Sequence, residues 1–289
     1  MSEFLQLKVP TPLEYFSSLV AEDSGLNLLE AAASIAQDEF PALDVEAVLS
    51  EVDAMALRLR QRLPADASAK HKLQALTRYF HQELGFAGNI NNYHECGNSF
   101  LHHVMATRRG IPITLAVIFL ELATSLGLRA QGLSFPGHFL IKVSMGNGEV
   151  VLDPFTGQSL SRERLDEYLQ IFRRGANLDG ALELPVELFM QAAAPRDILA
   201  RMLRNLKEIY RTAEDWPRLL AVQQRLVVLL PRDAAERRDR GLVLEALGQW
   251  RAAAEDLAFY VEQSAQAVDA QDLRQRIAQM RQRGVPPLY

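Results

Sequence analysis

The stretches GIPITLAVIFLELATSLGLRA (110–130), PGHFLIKV (136–143) and EVVLDPFTG (149–157) decide the fold. In the first, apolar residues surround most of a helical wheel, which is the pattern of a helix buried on all sides. Pro112 suits its first turn, where a missing N–H costs nothing. After it, AQGLSFPGHFLIKVS (130–144) and EVVLDPFTG read as strands. MGNG (145–148) lies between them, so the pair is expected to form an antiparallel hairpin.

Upstream of the buried helix the chain reads as helical. TPLEYFSSLVAEDS (11–24) places Leu13, Phe16 and Leu19–Val20 on one face. NLLEAAASIAQ (27–37) has Asn27 as a cap, and Asp44 opens DVEAVLSEVDAMALRLRQRL, which Pro64 ends. SAKHKLQALTRYFHQEL (68–84) forms a further helix stopped by Gly85. GFAGNINNYHECGNS (85–99) is turn-rich and leads into a short helix that stops at Gly110. Helices followed by a helix and two strands give an α+β domain.

The last third is helical and repetitive. Trp216 and Trp250 lie 34 residues apart; Pro231 precedes Gly241 by ten residues and Ala253 follows it by twelve. These are the slots of a 34-residue helix-turn-helix repeat, the tetratricopeptide pattern. One repeat runs from about Ala200 to Asp233 and the next from about Ala234 to Ala267. The first has Lys207 at the crossing slot and Leu219 where Ala is expected. DAQDLRQRIAQMRQR is suited to capping the stack. The expected domains are 1–185, α+β, and 186–289, all-α helical repeats, with the junction in 176–196.

The chain has 289 residues, 48% hydrophobic and 23% charged, which is the composition of a globular protein and not of a disordered one. Mean hydropathy is −0.06. The longest apolar run, Leu115 to Leu120, falls far short of the roughly 20 residues of a membrane helix, so no membrane association is expected. The first residues lack a basic segment followed by an apolar one, so no secretory signal is read. A single cysteine, Cys96, excludes an internal disulfide and fits the cytoplasm. Net charge is −5, which opposes nucleic-acid binding. From Pro195 onward, 16 Lys and Arg face 13 Asp and Glu, so the acidic excess sits in the first part of the chain.

A nucleophile at the start of a buried helix gains from the helix dipole; a His can serve as its base and an Asp can orient the His. His138 and Asp153, 15 residues apart across the expected hairpin, have the right types and placement. Here the chain resembles the transglutaminase-like superfamily, which has a papain-like α+β core. Gly110, Leu115–Ala116, Gly127–Leu128, Ala130, His138 and Asp153–Pro154 match its pattern. The longer string NSFLHHVMATRRGIPITL, with PGHFLIKV and LDPFTG, is similar to the bacterial SirB family, which joins such a domain to tetratricopeptide-type helices. The superfamily's catalytic Cys falls on Pro112, so the nucleophile is absent from its expected place.

Several readings follow. In the first, the site is a pseudoenzyme in which His138 and Asp153 persist as a buried hydrogen-bonded pair, and the protein acts as an interaction or regulatory module. In the second, Cys96 is a displaced nucleophile of an amide hydrolase or acyltransferase with His138 and Asp153; Thr114 offers a weaker hydroxyl. In the third, the cleft binds an anionic ligand through Arg108, Arg109 and Thr114 without covalent chemistry. His94, Glu95, Cys96, His102 and His103 invite a metal reading, but their spacing matches no ligand set, and no metal or other cofactor is expected. The helical repeats are expected to bind another protein or peptide, with Arg237, Arg238, Arg240, Arg274 and Arg276 favouring an acidic one.

Overall fold

The computed structural model describes residues 9–146, 148–175 and 185–283. The first helices are α1 (Pro12–Leu19), α2 (Leu28–Ser34), α3 (Val45–Arg60), α4 (Ala69–Arg78), α5 (Leu101–Thr107), α6 (Pro112–Ser125) and α7 (Arg162–Gly175). A two-residue parallel pair, β1 (Ala87–Gly88) and β2 (Arg109–Gly110), precedes α6. An antiparallel sheet of order β3-β4-β5-β6 follows it, with β3 (Arg129–Leu133), β4 (Leu140–Met145), β5 (Gly148–Leu152) and β6 (Ser159–Leu160). Among the described residues five more helices follow: α8 (Pro195–Thr212), α9 (Trp216–Leu229), α10 (Ala234–Ala246), α11 (Trp250–Gln263) and α12 (Ala270–Arg283). Among the described residues, no helix is long and apolar enough to cross a membrane.

Helix starts follow local chemistry. Thr11 and Glu14 form a reciprocal capping box at α1, and Asn27, Asp44 and Ser68 each accept a backbone N–H at the start of α2, α3 and α4. Helix α6 is the centre of its unit. Ile113 through Leu120, Leu122 and Ala123 are all buried, and each large side chain among them contributes about 1.5–3 kcal/mol of burial. Helices α2, α3, α4 and α5 and strands β3 and β4 pack around it. The segment after α4 is a π turn, Tyr79–Glu83. It brings Phe80 to stack on Phe86 at 4.4 Å and to meet Phe119 of α6 edge-on at 5.4 Å.

The segment 130–144, expected as one strand, is two. A turn at Pro136–Gly137 divides β3 from β4, and the two pair antiparallel from Arg129↔Ser144 to Leu133↔Leu140. Proline removes a ladder donor, and the His138 N–H instead bonds the Phe135 carbonyl at 3.0 Å. The β4–β5 hairpin forms around 145–148 as read. In β3, a Cβ on Gly132 would lie 2.6 Å from the Phe139 ring and 3.2 Å from Ile198, so only glycine lets the start of α8 reach the sheet.

The described residues form two compact units. One comprises Leu26–Ala36 and Ala42–Met202; the other comprises Met1–Gly25, Gln37–Pro41 and Leu203–Tyr289, as far as these are described. The division runs otherwise than the 185/186 boundary read from the sequence. In the second unit, Arg225 of α9 is fully buried, holds Asp38 through two bonds of 2.5 and 2.9 Å, and lies over the Phe16 ring of α1. A buried guanidinium needs such a partner, and it gathers the N-terminal segments to the C-terminal helices. The repeat itself is as read: α8–α9 and α10–α11 are the two helix pairs, with α12 after them. Trp216 and Trp250 each occupy the first residue of a second helix. A Cβ on Gly241 would lie 2.8 Å from Leu257 and 3.3 Å from the Ala253 carbonyl, so these small residues set the crossing of α10 and α11.

Asp38→Ala leaves the Arg225 charge buried without its carboxylate. The expected loss is about 3–5 kcal/mol, read by urea denaturation; a change below 1 kcal/mol contradicts the assignment.

Candidate functional site

Three segments meet where α6 begins. Pro112 is the first helical residue and Ile111 supplies no side-chain cap. The strand β2 leads into α6, and β1 lies beside it: the Asn89 N–H bonds the Gly110 carbonyl at 3.0 Å. The Gly88 N–H bonds the Phe155 carbonyl at 3.0 Å. Strand β1 thus joins the start of α6 to the turn that follows β5, where Asp153 sits. The loop beyond β1 is pinned by Asn98, which is buried. Its amide accepts from Asn89 and donates to the carbonyls of Asn92 and Tyr93.

Asp153 is buried, and its carboxylate is turned onto its own loop. One oxygen accepts the Phe155 N–H at 2.8 Å and the other accepts the Thr156 hydroxyl at 2.9 Å. The Asp153 carbonyl also accepts the Gly157 N–H at 2.8 Å. This is an Asx-type turn, in which the side chain substitutes for a backbone acceptor. The pairing Ile141↔Leu152 puts Asp153 opposite Leu140, with His138 two residues further out at the same end of the hairpin. No hydrogen bond joins them. The His138 ring instead stacks on Tyr168 of α7, with centroids 4.0 Å apart and planes at 11°. Arg164 lies over the same Tyr168 ring at 5.2 Å and pairs with Glu167 at 2.6 Å. Burial lowers the His138 pKa below the usual histidine value; the Asp153 charge opposes this in part, and Arg201 and Arg164 add to it. The charged form of the His138 imidazole is thus disfavoured relative to a free histidine.

The other sequence candidates sit as follows. Cys96 begins a short 3-10 turn, Cys96–Ser99, is half-buried and is in no disulfide. None of the hydrogen bonds or ring contacts of His138 is to Cys96. Thr114 lies in the first turn of α6, fully buried, and its hydroxyl has no hydrogen-bond partner among the described residues. Arg108 caps α5 in the left-handed region at φ 58°, bonds Glu51 at 3.3 Å and lies over the Phe86 ring. Arg109 donates to the carbonyls of Gly85 and Arg108 at 2.6 and 2.9 Å. Both arginines thus hold the β1–β2 region together. His94 meets Tyr93 edge-on, and His103 packs on Gly97. Among the described residues, no three His, Cys, Asp or Glu side chains gather as a metal ligand set.

Two residues not singled out in the sequence lie beside Phe139 and the turn after β5. Arg201, part-buried on α8, lies over the Phe139 ring at 5.5 Å. Tyr93 lies near Phe155, with ring centroids 6.1 Å apart. The signal for Arg201 was available: Gly132 inside a strand pattern marks a close backbone approach, and Ile198, which makes that approach, is one helical turn before Arg201. In the second unit, α8, α9, α10 and α12 line a groove of about 720 Å³, with Trp216, Leu219 and Leu242 as apolar walls and Lys207, Arg238 and Arg276 on them. Each of these cations pairs with an acid: Lys207 with Asp239, Arg238 with Asp269, Arg276 with Glu245.

A central helix against an antiparallel sheet, with a His and an Asp at one hairpin end, joined to paired helices, defines a transglutaminase-like protein with tetratricopeptide repeats. Residues 46–204 match the transglutaminase-like superfamily and residues 206–278 match a tetratricopeptide repeat. The chain belongs to the transglutaminase-like superfamily and to its UPF0162 group. A UPF0162 protein of Xylella fastidiosa (strain 9a5c) is 35% identical over 85% of this chain and 87% of its own. The UPF0162 protein YchA of Escherichia coli (strain K12) is 27% identical over 82% and 84%. No solved structure matches the chain.

The lowered pKa of His138 predicts a titration midpoint below 6.5 in an imidazole NMR experiment. Because the folded value lies below the unfolded one, this residue's contribution to stability is complete above pH 6.5 and is lost as pH falls through the folded value. A midpoint above 6.5 would point to a carboxylate-paired imidazole instead.

Proposed function

We propose that this protein is a transglutaminase-like pseudoenzyme that works as an interaction or regulatory module. The observation that carries the reading is the proline at position 112. The first residue of the buried helix has no nucleophilic atom, the His138 imidazole stacks on tyrosine, and the Asp153 carboxylate bonds within its own turn. A relay from Cys96 through His138 draws no support from this geometry, since catalysis by a displaced thiol needs the base within hydrogen-bond reach. The C-terminal helices supply the binding surface in this reading, through the groove between α8, α10 and α12. Paired cations and acids beside Trp216 and Leu242 suit a protein segment of mixed charge. The SirB assignment and a cytoplasmic setting, suggested by the single cysteine, belong to the same proposal.

Two measurements test it. With a glutaminyl peptide and hydroxylamine, the full chain is expected to form no hydroxamate above the His138→Gln variant; turnover that this variant abolishes contradicts the reading. Proteins captured by the full chain from a bacterial lysate are expected to be lost on Leu242→Arg, which places a charge in the groove. Capture unchanged by that variant removes the groove from the account.

A further inference from the structure

We propose that the groove between α4 and the β4–β5 hairpin binds a peptide segment of a partner protein, one that carries apolar side chains flanked by carboxylates. The groove measures about 900 Å³, and both of its walls belong to the unit formed by Leu26–Ala36 and Ala42–Met202. The sheet explains why it exists. Leu140 and Val151 pack with Leu165, Leu169 and Val186, so α7 and the Val186–Phe189 turn cover one side of the sheet. On the other side, strand alternation and register place Ile141, Val143, Val150 and Leu152 together. Helix α6 packs against β3 and β4, and Ile141 and Val143 are fully buried. Val150 and Met145, further out, are only half-buried. With Leu152 and with Leu73 of α4 they make the apolar part of the groove. A Cβ on Gly157 would lie 2.6 Å from the His81 ring, so the turn after β5 and the π turn after α4 meet at one end of it.

The charge of the occupant follows from the lining. Lys70 and Arg78 line the groove, and among the described residues no Asp or Glu does. Both are exposed, and Arg78 reaches Glu83, outside the lining, at 3.5 Å. Residues 1–194 carry 15 Lys and Arg against 23 Asp and Glu, so this lining runs against the charge of the chain around it. Such a local reversal complements an acidic partner. Lys70, Gln74 and Arg78 form one i, i+4, i+8 row of α4, which sets the two cations about 12 Å apart along its axis. Two carboxylates three or four residues apart on an extended peptide span about the same distance.

The rim favours a peptide over an acidic lipid. Gln74, Gln82 and Ser159 are exposed there and offer amide and hydroxyl groups that can meet backbone N–H and C=O groups. An alkyl chain would use none of them and would leave its outer flank in water. The groove shares no residue with the repeat groove or with the His138–Tyr168 stack. The inference is therefore independent of the pseudoenzyme reading and of the partner assigned to the repeats.

The test pans the full chain against a phage-displayed library of random peptides and discards sequences that bind the Lys70→Glu/Arg78→Glu variant equally well. The peptides that remain are expected to combine apolar residues with acidic ones three or four positions apart. One of them, synthesised and titrated by fluorescence anisotropy, is expected to bind Lys70→Glu/Arg78→Glu about tenfold more weakly, the size that two exposed ion pairs supply. It is expected to shift the methyl resonances of Met145, Val150 and Leu152. Arg251→Glu, on α11 and 89% exposed, and Leu242→Arg in the repeat groove are expected to leave its binding unchanged. No remaining peptide, peptides without acidic residues, unmoved methyl resonances, or an equal loss in Arg251→Glu or Leu242→Arg overturns the proposal. Dodecanoate that displaces the peptide and binds more tightly overturns the choice of a peptide as occupant.

Discussion

A proline at the first position of α6 is the constraint on which the rest depends. The first N–H groups of a helix have no partner within it, so a residue that lacks one is accommodated there without loss. Ile111 and Ile113 on either side are buried and fix the helix start against its neighbours. The helix therefore keeps its place in the core whether or not position 112 carries a thiol. Fold and chemistry are separable at this one residue, because the helix start needs no side chain with a reactive atom.

At Asp153 one carboxylate oxygen accepts from Phe155 and the other from Thr156, two and three residues on. Those bonds shape the turn whose Phe155 carbonyl receives the Gly88 N–H, and through β1 they reach the start of α6. Asp153 thus shapes the turn at the hairpin end. His138 rests on Tyr168, in a setting that disfavours its charge.

Much of this architecture was legible in the sequence because its causes are local. An apolar run on every side of a helical wheel can only be buried, and α6 is. The spacing of Trp216 and Trp250, with Gly241 and Ala253 between and after, encodes a helix crossing that needs small residues, and the Leu257 contact shows why. The break in 130–144 is hidden because strand-like residues flank Pro136–Gly137 on both sides, and the turn shows only once β3 and β4 pair across it. Arg225 with Asp38 was not legible. It joins residues far apart in the chain, and an arginine in a helix pattern looks like any solvated one until its partner is seen.

The central claim is that this scaffold no longer holds a reactive centre, and the most direct measurement restores the thiol. In Pro112→Cys, the rate of alkylation by iodoacetamide across pH is compared with that in Pro112→Cys/His138→Gln, with Cys96 replaced by Ser in both. The account predicts the same profile in the two proteins, because His138 is held by Tyr168 and not poised by Asp153. A thiolate that appears well below pH 8 only when His138 is present would contradict it.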